Sequence, residues 1–342
     1  MNQKQLTSGP LLDKNGNLCE AGFAYSLVKE YDRSKIKAGK SRIKEWDYYY
    51  IGNNDRGVAF TIDDNSLYGL GSVSLLNFNK KEWLTKSSMV FFTNGKVNFP
   101  SSSDKGDITW KDKNYYLHFV NENKKRVIDV KVLELEKGEP FEAHFELSES
   151  MDESMVIATP FNKARHFYYN EKKNCIIAEG YYTYKGETVK FDSADTRAIL
   201  DWGRGVWTYK NTWYWSGLSA TQDGCEIGFN LGYGFGDTSA ASENMLFYNK
   251  KAYKLNDVVF NIPMNEKGEY EYMKEWTFTS SDGTINLTFT PILDRHDDTD
   301  FVILKSLQHQ VFGYFNGYIE IDGIKVEFKN KVSFAERVHN CW

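Results

Sequence analysis

Apolar and polar residues alternate with a period of two along most of this chain. Phe141, Ala143, Phe145 and Leu147 alternate with Glu142, His144 and Glu146, and Ile128, Val130 and Val132 with Asp129 and Lys131. Successive side chains of a strand point to opposite faces, so the pattern predicts antiparallel sheet with one wet face. Tyr115 to Val120 and Thr284 to Thr290 read as further strands, and Asn94-Gly95 and Asp282-Gly283 as turns. Helices are expected to be few. The stretch from Tyr25 to Ile36 is the one place where a short helix is expected.

The pattern occurs twice. Trp46 begins WDYYYIGNNDRGVAFTID and Trp213 begins WYWSGLSATQDGCEIGFN. Each has a Gly eleven residues after the Trp and a small polar residue, Asp63 or Asn230, seventeen after it. Each then runs through glycines to an aromatic–Asn–Lys–Lys sequence ending at Lys81 or Lys251. The far ends match without a gap: GYYTYKGETVKF from Gly180 and GYIEIDGIKVEF from Gly317. Both read as hairpins whose two-residue turn ends in Gly, which supplies the positive φ such turns need. The expected fold class is therefore all-β, with two tandem antiparallel barrels or barrel-like sandwiches from an internal duplication. Closure is expected because each copy must dispose of its sheet edges. The boundaries fall at 1–45 for an N-terminal segment wrapping the barrels, 46–207 for the first barrel and 208–342 for the second.

Composition agrees with this and narrows the function. Aromatic residues make up 16% of the 342, with only 6 Pro, and 41% hydrophobic residues suffice for two cores. The net charge of −5 is read as spread along the chain without a basic block, which speaks against nucleic acid as a partner. No apolar run is long enough for a membrane helix, and the N-terminus lacks the layout of a secretory signal. Cys19, Cys175, Cys225 and Cys341 are far apart with no CxxC, the pattern of reduced thiols in a cytoplasm rather than of a zinc site. Neither a metal nor a cofactor is expected.

Candidate chemistry concentrates in DWGRGVWTYKNTWYW, Asp201 to Trp215, at the junction of the copies. Asp201 and Arg204 are expected to pair, with Trp202, Trp207, Trp213 and Trp215 as an apolar wall. An acid walled by Trp would have a raised pKa and a donatable proton, whereas beside Arg its pKa would fall. The plainer alternative is an ion pair clasping the junction. The second feature is a difference between copies. Where the first has Val73, Ser74 and Asp63, the second has Glu243, Asn244 and Asn230. A buried acid gained in one copy is costly in a plain core and easier to understand at a ligand site; the alternative is that Glu243 faces water. GYGFG at Gly232 lacks the Lys-Ser/Thr of a phosphate loop, and DRHDDTD from Asp294 lacks calcium-loop spacing. The six histidines form no ligand pair, and no GxSxG elbow occurs.

In order, LLDKNGNLCEAGFA, KEWDYYYIG, DWGRGVWTYKNTWYW, IGFNLGYGFG, SENMLFYNKK, QVFGYFNG and FAERVHNCW resemble the bacterial domain-of-unknown-function family 2804 over nearly the whole chain. The resemblance implies a distant relation to calycin-type proteins of two lipocalin-like barrels, among them carotenoid hydratases and tocopherol cyclases. In such relatives an acid in an apolar barrel protonates a carbon–carbon double bond. Asp201, Glu243 and Glu336 are the acids available for that role here, and none is carried over by alignment.

Three functions follow as expectations. The first is binding of a hydrophobic or amphipathic small molecule, lipid or isoprenoid-like, in an aromatic-lined pocket at the junction. Trp202, Arg204, Trp207, Trp213, Trp215, Asn230 and Asn244 would line it. The second is acid-catalysed hydration, cyclisation or isomerisation of the same ligand class by Asp201, Glu243 or Glu336. The third is carbohydrate binding or processing on Trp and Tyr platforms.

Overall fold

A computed structural model describes residues 3–301 and 304–341. Three short strands, β1 (Gly9–Pro10), β2 (Gly22–Ala24) and β3 (Lys29–Glu30), open the chain. Then come β4 (Ile43–Gly52), β5 (Arg56–Asp64), β6 (Tyr68–Asn77), β7 (Glu82–Phe91), β8 (Lys105–Lys111) and β9 (Tyr115–Glu122). The first half continues with β10 (Lys125–Glu136), β11 (Glu139–Glu149), β12 (Met155–Pro160), β13 (Phe167–Tyr184), β14 (Glu187–Phe191) and β15 (Arg197–Val206). The second half holds β16 (Lys210–Gln222), β17 (Cys225–Tyr233), β18 (Met245–Tyr248), β19 (Lys251–Lys254) and β20 (Val259–Asn261). It ends with β21 (Trp276–Thr279), β22 (Ile285–Phe301), β23 (Leu304–Ile321) and β24 (Ile324–Cys341). Among the described residues the only helical turns are 3-10, and one of them, Arg33–Lys35, lies within the stretch expected to hold a short helix.

Two curled antiparallel sheets result, and they follow one path. The first runs β7-β6-β5-β4-β15-β13-β11-β10-β9-β8 and the second β19-β18-β17-β16-β24-β23-β22-β21-β20. In each, a four-strand meander joins the long closing strands through its first member. The duplicated hairpins turn at Lys185-Gly186 and Asp322-Gly323, where φ is 51° and 75° in one and 52° and 77° in the other. Gly180 and Gly317 occupy the same place in the two hairpins. A Cβ on either would strike a carbonyl oxygen of the neighbouring strand, that of His144 or Asn286. One detail of the repeat does not carry over. Trp46 pairs with Asp63 across β4–β5, but Asn230 pairs with Gly217, so the longer β16–β17 hairpin moves Asn230 off the Trp213 position.

Each sheet curls around its own core, Phe60, Phe119 and Phe145 in the first and Phe229, Phe289 and Phe315 in the second. The convex faces of the central strands then pack against each other, burying Tyr48, Tyr50 and Ile199 against Trp215, Phe312 and Phe334. Burial on both faces explains why β4 and β15 depart from alternation: every residue of β15 is buried. Near the N-terminus, Leu6, Leu11 and Leu12 join the first core, while the Lys4 amide donates to the Ala240 carbonyl at 2.9 Å.

Candidate functional site

The expected pair between Asp201 and Arg204 does not form. Residues three apart on a strand point to opposite faces. Arg204 and Trp202 turn into the first core, where both are fully buried and the guanidinium lies 4.2 Å from the indole. There Arg204 Nη1 meets Asp47 Oδ1 at 3.0 Å and donates to the Trp46 carbonyl at 2.8 Å, and Nη2 donates to the Pro100 carbonyl at 3.2 Å. Burial pushes the Asp47 carboxyl up to about 6, although Arg204 opposes it.

Asp201 faces the other sheet. Its Oδ1 accepts from Lys172 Nζ at 2.8 Å and from Asn170 Nδ2 at 2.6 Å. The Lys172 ammonium also sits 3.8 Å from the centre of the Trp215 ring, across the sheet junction. The second copy repeats this arrangement. Asp201 pairs with Tyr48 and Lys172 in the first sheet, and Glu336 with Trp215 and Gln310 in the second. Tyr48 and Trp215 stand two residues after Trp46 and Trp213, so the two acids occupy corresponding places. Glu336 accepts from Gln310 Nε2 and Trp213 Nε1, both at 2.9 Å.

Glu243, on the segment before β18, completes the group. Its carboxyl lies in the space a side chain at position 232 would fill: a Cβ on Gly232 would come within 2.5 Å of Glu243 Oε1. Asn230 binds this segment to the site, with Oδ1 accepting from Trp215 Nε1 at 2.7 Å and Nδ2 donating to the Glu243 carbonyl at 2.8 Å. Burial raises the carboxyls of Glu243 and Glu336, and the charge on Lys172 partly offsets this in both. The Tyr168 hydroxyl is raised well above its usual range, first by burial and then by the charges of Asp201, Glu243 and Glu336. All three acids are thus within electrostatic reach of that phenol.

An aromatic wall closes the site. Trp46 stacks on Tyr168 with centroids 6.0 Å apart, and Phe235 meets Tyr168, Trp207 and Trp213 edge-on at 4.8–5.3 Å. Gly203 makes room for it, since the Trp46 indole occupies the place of a Gly203 side chain. Trp46 and Trp213 are only partly buried and form the outer edge of the wall.

Of the residues expected at a site, Asp201, Glu243, Glu336, Asn230, Trp207, Trp213 and Trp215 therefore come together here. Trp202 and Arg204 lie in the first core. Asn244 serves the backbone, accepting from the Gly232 amide at 2.7 Å and donating to the Asn256 carbonyl at 2.9 Å. Lys172, Asn170, Tyr168 and Gln310 were not anticipated. The run Asn170–Asn174, NEKKN between apolar stretches of one strand, carried the signal for the first two. A cleft of about 460 Å³ lies elsewhere, where Glu149, Glu171 and Lys173 line it. Among the described residues no three His, Cys, Asp or Glu are placed to hold a metal ion.

Substituting Gly232 tests the packing of Glu243. Gly232→Ala is expected to cost roughly 1–3 kcal/mol, because the new methyl meets the Glu243 carboxyl and the Tyr214 carbonyl. Glu243→Ala in the same chain should restore part of that loss, and urea unfolding of the single and double variants measures it. No recovery would show that the carboxyl does not fill that space.

The chain belongs to the DUF2804 family, a domain of unknown function, whose profile spans residues 2–342. A protein from Nitrosomonas europaea given the name AttH shares its fold, with a TM-score of 0.54 and 11% identity over 87% of this chain and 92% of that one. CghA, solved with Sch210972, gives 0.51 and 7% over 98% and 97%. Kievitone hydratase from Nectria haematococca gives 0.48 and 12% over 99% and 98%. At such identities the likeness is one of fold alone. No curated protein matches the chain in sequence.

Proposed function

We propose that the junction between the sheets is a cofactor-independent acid site acting on an unsaturated, hydrophobic or amphipathic small molecule of isoprenoid type. The observation that carries this is the grouping of Glu243 and Glu336, both buried and raised, with the ion-paired Asp201, all within electrostatic reach of Lys172 and Tyr168. A site that only bound an apolar ligand would gain nothing from three buried acids, each of which carries a desolvation cost. Simple binding is therefore the second reading. Nothing in the geometry favours a sugar.

Glu243 is the assigned proton donor. Glu336 accepts two N–H bonds, which hold it toward its carboxylate form. The Glu243 carboxyl passes its proton to one carbon of a double bond, and a cation forms on the neighbouring carbon. The faces of Tyr168, Trp46 and Trp213 stabilise that cation by the attraction of positive charge to an aromatic ring. Loss of a different proton gives an isomer, attack by a second double bond a ring, and attack by water an alcohol. In each case the released proton returns to the Glu243 carboxylate. Entry requires the half-buried Trp213 to turn aside.

Farnesol in deuterated buffer tests the reading. Quenching of tryptophan emission is expected in the wild type and in Glu243→Gln alike, with deuterium entering carbon only in the wild type. The rate should fall as pH rises through the raised pKa of Glu243, because only the neutral acid donates. Quenching without deuterium uptake would leave simple binding, and absence of both would remove the isoprenoid assignment. Glu243→Gln should fold as the wild type does, and a lost fold would mark Glu243 as structural.

A further inference from the structure

Among the described residues no helix is long and apolar enough to cross a membrane. One end of the β6–β7 hairpin nevertheless exposes large apolar side chains together. Leu67, Met89, Val90, Phe91 and Phe92 are all exposed, the two phenylalanines at 65% and 66%. They share one end of the β6–β7 hairpin: Tyr68 pairs with Phe91, and the Phe92 amide donates to the Leu67 carbonyl at 2.6 Å. Phe92 has a φ of 60°, a conformation that disfavours a bulky residue. A phenyl ring so exposed buries little against the fold, and its place among other exposed apolar side chains points to an external contact as its use.

The reading of charge as evenly spread needs correction at this place. Arg33, Lys35, Lys37, Lys40, Arg42 and Lys44 follow one another with no acid between them, and the balance of the whole chain hides this excess. Lys35, Lys37 and Lys40 are exposed, as is Lys96 in the turn after Phe92. The basic run adjoins the apolar tip. The Arg33 guanidinium lies against Gly95, and its Nη2 reaches Ser66 Oγ at 3.5 Å. At its other end, Arg42 donates to the carbonyl of Trp207, a member of the aromatic wall, at 3.1 Å. Asp32 and Glu45 border the run, and Glu45 pairs with Arg33, so the exposed lysines carry its free charge.

We infer that this face docks on an anionic lipid surface, with Phe91 and Phe92 entering the headgroup boundary and Lys35, Lys37, Lys40 and Lys96 facing lipid phosphates. An apolar tip beside a basic run with exposed lysines matches such a surface in both of its attractions, apolar burial and opposite charge. A second copy of this chain would present the same positive rim and meet like charge.

The whole chain, sedimented with phosphatidylcholine vesicles carrying about 30 mol% phosphatidylglycerol, tests this. Pelleting is expected with those vesicles and not with pure phosphatidylcholine. Lys35→Gln/Lys37→Gln/Lys40→Gln should lower partition roughly a hundredfold, and Phe91→Ser/Phe92→Asn by about tenfold or more, with thermal midpoints unchanged. Phe91→Ser alone serves if the double variant fails to fold. A wild type left in the supernatant, or variants that pellet like it, would overturn the docking face. So would a dimer in solution that Phe91→Ser/Phe92→Asn dissociates, since the face would then join copies of the chain.

Discussion

Replacing Arg204 by Ala is expected to destabilise the protein by roughly 3–5 kcal/mol at pH 7.5, a fall of about 5–15 °C in thermal midpoint. The residue is fully buried, and its removal strands Asp47, whose Oδ2 already lacks a partner. The magnitude comes from that stranded carboxyl, since an intact buried pair adds little net stability. Asp47→Leu with Arg204→Leu should therefore recover much of the loss. The loss should also shrink at pH 5, where Asp47 can take up a proton. Melting curves of the wild type and the two variants at both pH values decide the matter. An unchanged midpoint for Arg204→Ala would mean that the first core does not depend on the pair.

Lys172→Met should produce the strongest pH dependence. Glu243 and Glu336 have pKa values raised above those of an unfolded chain, so between the unfolded and folded values the native state holds more protons. Their contribution is complete below about pH 4.3 and is lost as pH rises through the folded pKa. Lys172 limits that loss by favouring the charged form of both acids. Without it, a deficit of roughly 3 kcal/mol or more is expected at pH 8, falling well below that at pH 5. Equal deficits at the two pH values would show that Lys172 acts through its pair with Asp201 and its packing on Trp215 and not through Glu243 and Glu336. Trp46, which contributes no charge to the site, provides the control: Trp46→Phe should leave the pH dependence of stability intact.

Much of the architecture was legible in the chain because it depends on local rules. Alternation in Phe141 to Leu147 and the two Gly-ended hairpin turns each determine a strand or a reversal within a dozen residues. Repetition then doubled that information. The site was legible in part. Asp201 stands out as an acid in aromatic company and Glu243 as a difference between copies, while Glu336 enters only as an acid available for the role that the resemblance implies. Their relationship was not legible. Asp201 and Arg204 are close in sequence and attract in principle, yet strand geometry sends them to opposite faces.

By itself, then, the sequence determined the strands, the turns, the duplication and the family, all properties of short segments or of their recurrence. Tertiary structure alone decided which face of β15 meets which sheet. It thereby placed Lys172 of the first copy on Trp215 of the second, and brought three acids separated by up to 135 positions within electrostatic reach of Tyr168. The physical reason is that a strand fixes the alternation of its faces but not what covers them. When both faces are buried the polar pattern no longer distinguishes inside from outside, and only the packing of the two sheets does.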